Sequence, residues 1–138
     1  MKINSTLFWI RISLAVIFIM HSVPGMFNGG VNDFGTQYLD VIGFYPFGIY
    51  VAWLIKLSHL VLAILLIFNR WLIVPIILTI FILIAGIILV HYESGWYVVG
   101  GGANGIEFNF LLIFVLFQVL LVAIKERNNK LESLILNK

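Results

Sequence analysis

The sequence predicts an all-α fold, a four-helix transmembrane bundle with both termini cytoplasmic and two long outer loops covering its outer end. Three observations predict it. Of the 138 residues, 62% are hydrophobic and 10% are charged, whereas a soluble domain is nearer half apolar and a quarter charged. The apolar residues gather in four runs, each close to the roughly 20 residues a helix needs to cross the hydrocarbon core. The basic residues outside those runs all fall on one side of a four-pass topology. The same composition argues against a disordered chain. A net charge of only +2 leaves no basic patch for nucleic acid. The chain has no cysteine, which removes disulfide exchange, Cys-ligated metals and cysteine nucleophiles together.

The first span is read at about residues 7–24, interrupted by Arg11. The second, at about 48–68, contains Lys56 and His59. The third, at about 72–90, carries no charge, and its Pro75 sits near the start, where a missing N–H matters least. The fourth, at about 107–124, opens on Glu107. Isolated strands cannot span a bilayer because their backbone groups would go unpaired, and the runs are too continuous for barrel strands. Residues 1–124 thus form the membrane domain and residues 125–138 a polar cytoplasmic tail. The connections are a long loop at about 25–47, a tight turn at Asn69-Arg70-Trp71, and a second long loop at about 91–106. Arg11 inside the first apolar run, with no small-x-small site after it, marks that run as a retained helix rather than a cleaved leader.

Lys2, Arg70, Lys125, Arg127, Lys130 and Lys138 share one side, and the long loops hold only Asp33, Asp40 and Glu93 among charged residues. Basic residues stay cytoplasmic, so the expected location is the inner (cytoplasmic) membrane with both long loops outside. Trp9, Trp53, Trp71, Tyr50, Trp96 and Tyr97 fall near the expected interfaces, as an aromatic belt does.

Ionisable groups inside a membrane helix are expensive, about 3 kcal/mol each on insertion scales. Arg11 either snorkels to the headgroups or pairs with another helix. Lys56 lies about 12 Å below the outer end of its helix, too deep for easy snorkelling. His59 follows one turn on and shares its face. The expected partners of Lys56 are Glu107, the neighbourhood of Arg11, or a bound polar ligand. His21 and His91 sit at similar depth near the outer ends of the first and third helices. As a pair they offer one axial ligand each to a haem, but no further haem signature accompanies them. A three-His metal site with His59 is disfavoured by depth. Glu107 either caps the fourth helix or acts as a titrating acid.

Gly100-Gly101-Gly102-Ala103-Asn104-Gly105 fits G-x-G-x-x-G literally. A dinucleotide site needs a strand before the motif in a βαβ unit, and none is available in this context. The glycines, Gly101 and Gly102 among them, instead allow close backbone approach around a ligand. The outer loops are rich in apolar and aromatic residues, so they are expected to pack as a lid over an aromatic-lined cavity. A pocket of that kind with a few convergent polar groups is the usual form of a small-ligand site.

Three segments resemble one family. Residues 11–27 (RISLAVIFIMHSVPGMF), 53–70 (WLIKLSHLVLAILLIFNR) and 91–107 (HYESGWYVVGGGANGIE) are similar, in order and spacing, to the first helix, second helix and closing segment of the DoxX family of small four-helix membrane proteins. The resemblance covers roughly residues 8–124. It implies a membrane subunit of a quinone-linked oxidoreductase system, since one member serves a thiosulfate:quinone oxidoreductase. Lys56 departs from the glutamate the family carries near that position, and thiol chemistry is closed to a chain without cysteine.

Two functions follow as expectations. In the first, a quinone sits in the outer cavity. Lys56 or His59 donates to a carbonyl, His91 or Glu107 moves protons, His21, Arg11, Trp53, Gly101 and Gly102 line the site, and a soluble or membrane redox protein supplies electrons. In the second, the chain is a non-enzymatic scaffold that recruits lipid, partner proteins or a second copy of itself, and the polar residues hold the helices in register.

Overall fold

The computed structural model describes residues 5–98 and 105–136. Every regular element among them is helical. Helix α1 spans Ser5–Phe27, α2 is the short turn Gly30–Asp33, and a π-helical stretch Phe34–Phe44 continues it. Then come α3 (Gly48–Phe68), α4 (Ile73–Gly86), a π-helical turn Ile87–His91 with one 3₁₀ turn Tyr92–Ser94, and α5 (Glu107–Leu136). Four segments are long and apolar enough to cross a membrane: Leu7–Phe27, Gly48–Phe68, Ile73–Ser94 and Glu107–Leu136. These match the four apolar runs. The polar tail is not a separate piece of structure, because α5 passes unbroken through Lys125 to Leu136. Large apolar side chains such as Leu54, Val74, Phe81 and Phe114 lie exposed along the spans, a surface suited to lipid and not to water.

The chain forms two compact units, one ending at Arg70 and one beginning at Trp71. In the first, α1 and α3 pack together antiparallel in a fixed register. Arg11 meets Leu66, Phe18 meets His59, and His21 meets Lys56. Each step along α1 is matched by an equal step back along α3. The buried stripe of α1 includes Leu14, Ala15 and Phe18, and that of α3 Ala52, Leu62, Ala63 and Leu66. Small residues at such positions let membrane helices approach closely, where packing replaces the hydrophobic effect as the source of association.

Residues 25–47, expected as a loop, are largely helical. Their packing has a defined form. Val31 and Leu39 are buried with Ala52 of α3, and Met26, Phe34, Tyr38, Phe44, Val51 and Trp53 pack around them. Two glycines permit this approach. A Cβ on Gly35 would lie 2.5 Å from Ile49 Cα, and one on Gly48 would strike the Gly35 carbonyl oxygen. Alternating loop-like composition concealed the helix, because glycine and aspartate lower helix propensity and tertiary contacts overrode it.

Asp40 then has a clear task. Its Oδ1 accepts the Gly48 N–H at 2.9 Å, placing a carboxylate on the positive end of α3, where it satisfies an orphan donor. Asp40→Ala is expected to lower stability by roughly 1 kcal/mol, read as a fall in Tm of the detergent-solubilised protein. An unchanged Tm would show that the cap contributes nothing. Trp53 donates from Nε1 to Asn32 Oδ1 at 2.8 Å, so its indole fastens α2 to α3.

At the far end of α3, the turn forms as expected. Asn69 (φ 52°) and Trp71 (φ 50°) adopt the left-handed conformation, and the Asn69 and Arg70 N–H groups return to the last carbonyls of the helix, the usual way of ending one.

In the second unit α4 packs against α5. Gly86 faces Asn109 in the first turn of α5, where a Cβ would make ordinary contact with its Nδ2 at 3.6 Å. Segments 95–98 and 105–107 join through Ile106 N–H to Gly95 O and Glu107 N–H to Trp96 O, both 3.0 Å. Trp96, Phe110 and Phe114 continue that contact as a chain of rings with centroids 5.4 and 4.7 Å apart.

Candidate functional site

The α1–α3 register brings three ionisable side chains together within the span. Lys56 Nζ lies 3.0 Å from His21 Nε2 and donates to the His21 carbonyl oxygen, also at 3.0 Å. An ammonium donating to Nε2 requires a neutral ring with its proton on Nδ1. The His21 and His59 rings are 5.7 Å apart, centroid to centroid, and His59 lies 5.1 Å from Phe18.

His59 is only 2% exposed, yet neither ring nitrogen has a protein hydrogen-bond partner among the described residues. Buried polar atoms are rarely left so. Ser22 Oγ, next to His21 in sequence, is also buried without a partner. Thr79 Oγ1 in α4 shares that condition within its own unit.

The remaining candidate residues have other employment. Arg11 is only 7% exposed. Its Nε donates to Leu66 O at 3.3 Å, placing a cation on the negative end of α3. Arg11→Met is expected to cost about 1 to 3 kcal/mol, since it strands the carbonyl it served. A thermal melt checks this, and a Tm equal to wild type overturns it. Glu107 Oε1 accepts the Val98 N–H at 2.8 Å, so the carboxylate pins the preceding segment to α5. His91 ends the π-helical turn in the second unit, beside Gly86. The haem reading needs Nε2 of His21 as a ligand, an atom already facing Lys56. Trp53 is occupied with Asn32, and Gly101 and Gly102 lie outside the described residues.

Sequence reasoning paired Lys56 and His59 and placed both deep in the span. It did not assign His21 as the partner of Lys56. His21 was placed near the outer end of its span and Lys56 deeper; because α1 runs on to Phe27, past the expected end at residue 24, His21 sits deeper than expected and antiparallel packing brings it to Lys56. Ser22 was visible only as a neighbour of His21.

Fold and cluster together define a multi-pass α-helical membrane protein with an ionisable cluster inside its first helical pair. No family model, no curated protein and no solved structure matches the chain.

Proposed function

We propose that the protein binds the polar head of a hydrophobic carbonyl ligand, a quinone, at His21, Lys56 and His59, as a subunit of a quinone-linked oxidoreductase system. The observation that carries the reading is the buried His59 ring with two unpartnered nitrogens beside a lysine. An ammonium has three donors. Two of those on Lys56 point to His21, and the third has no protein partner among the described residues. A neutral imidazole adds one donor and one acceptor. A quinone carbonyl accepts from Lys56 or His59, and the hydroxyl of the reduced quinol donates back to the bare ring nitrogen. Two electrons and two protons separate those forms. The electrons come from an outer-face redox partner, and the unpartnered His59 ring nitrogen is placed to take up the quinol proton. The resemblance of segments 11–27 and 53–70 to the DoxX family supports the same ligand class. In this reading the four spans form one bundle in the inner membrane with both termini cytoplasmic, supported by the one-sided basic residues.

Titration of the purified protein in mild detergent with a short-chain ubiquinone tests the proposal. Lys56→Met is expected to weaken binding about 30-fold, the loss of one charge-assisted hydrogen bond, with only a modest fall in Tm from the lost contact to the His21 carbonyl. Equal affinity in both proteins would end the quinone assignment. A large fall in Tm instead favours the scaffold reading, in which the Lys56–His21 contact serves only to hold α1 on α3.

A further inference from the structure

Helix α5 carries a second continuous stripe, unrelated to the His21 cluster. Its buried face consists of Leu112, Leu116, Val119 and Leu120. Along a second face run Phe114, Phe117, Leu121 and Ile124, followed by Asn128, Leu131 and Ile135. The steps alternate between three and four residues, the heptad spacing of a coiled-coil seam. Phe114, Leu121, Asn128 and Ile135 take the a positions, and Phe117, Ile124 and Leu131 the d positions. All but Ile124 are exposed.

Lipid accounts for that exposure only in part. The 30 residues of α5 extend about 45 Å, some 15 Å more than the hydrocarbon core is thick. From Lys125 onward the helix carries Glu126, Arg127, Lys130 and Glu132 and belongs in water. The seam does not stop there. Leu131 and Ile135 remain on it, both exposed, on a helical segment too short to be stable in water without a partner.

We propose that this face is the interface of a parallel homodimer, with α5 of a second copy of the chain as its occupant. Two copies inserted in the same direction present α5 parallel. In that arrangement a g residue faces the e residue five positions later on the partner helix. Arg127 occupies g and Glu132 occupies e, so opposite charges meet, and two-fold symmetry makes the pair twice. Asn128 at an a position is the polar residue that fixes register and a two-stranded state. The strict seven-residue repeat further predicts a left-handed supercoil. None of this depends on the quinone reading.

The absence of cysteine makes the test direct. Leu131→Cys and Ser133→Cys each place a single thiol in the full-length protein, one on the seam and one at an outward f position. After reconstitution in phospholipid vesicles and mild oxidation, Leu131→Cys is expected to run at twice the monomer mass of 15.7 kDa, and Ser133→Cys as monomer. Adding Glu132→Arg to Leu131→Cys turns two attractive contacts into repulsive ones and should weaken dimerisation about ten-fold. Exchanging both charges, Arg127→Glu with Glu132→Arg, should restore it. Equal cross-linking at the two positions, none at either, or indifference to Glu132→Arg overturns the proposal. So does a monomeric mass for the wild-type protein by light scattering with the detergent contribution removed.

Discussion

His59→Leu is expected to make the protein more stable and less able to bind quinone. Both ring nitrogens of His59 are buried without a protein partner, and each such atom carries a desolvation penalty with nothing to offset it. Leucine fills a similar volume beside Phe18 and His21 with no polar atom to satisfy. Removing the penalty should raise stability by about 1 to 3 kcal/mol, or a Tm increase of roughly 3 to 10 °C for a chain of this size. The same change deletes the donor and acceptor through which a quinone head would be held, so affinity should fall at least as far as for Lys56→Met. Stability retained below its attainable level at a binding position is the common pattern where function sets the residue. A lower Tm with unaltered quinone affinity would sink the assignment, because it would make the imidazole a packing residue after all.

The spans were legible in the sequence because a bilayer leaves few alternatives. A run of apolar residues of sufficient length must be helical, since every backbone group has to be satisfied within the segment. Gly48–Phe68 was bounded correctly at both ends, with Phe47 before it and Asn69 after it. What was not legible was rotation about the helix axis. Lys56 was known to be deep, but whether it faced His21, Glu107 or Arg11 depended on how α1 and α3 turn towards each other, and a nearly uniform apolar surface contains little information on that. The segment 25–47 failed differently. Its glycines read as loop signals, whereas Gly35 is there so that its backbone can touch the first turn of α3. The role of Asp40 was hidden with them, because a cap supplied from eight residues away does not resemble the local capping patterns that sequence reading uses. Glu107 is the converse. Its position at a helix start was read correctly, and its carboxylate accepts the Val98 N–H of the preceding segment, a contact nine residues back that neither expected role describes.

Gly35→Ala should cause a large loss of stability in the N-terminal unit. The new Cβ would stand 2.5 Å from Ile49 Cα and 2.8 Å from Ile49 N. Those are main-chain atoms of the first turn of α3, so no side chain can rotate away to relieve the clash, and the π-helical stretch must lift from the helix. Lifting it separates Val31 and Leu39 from Ala52 and draws Asp40 off the Gly48 N–H. Overpacking of this kind costs about 3 kcal/mol, with a Tm fall of roughly 10 °C. The consequence for the site is separable from that for the fold. Lys56 lies two turns along α3, about 12 Å from Gly48, and its register with His21 is set by the α1–α3 contact rather than by the π-helical stretch. Below its lowered Tm, the Gly35→Ala protein should therefore still bind quinone within about three-fold of wild type. Titration at a temperature well under both transitions measures this. Binding lost in proportion to the cluster variants would mean that residues 34–44 do more than brace α3 and reach the ligand themselves.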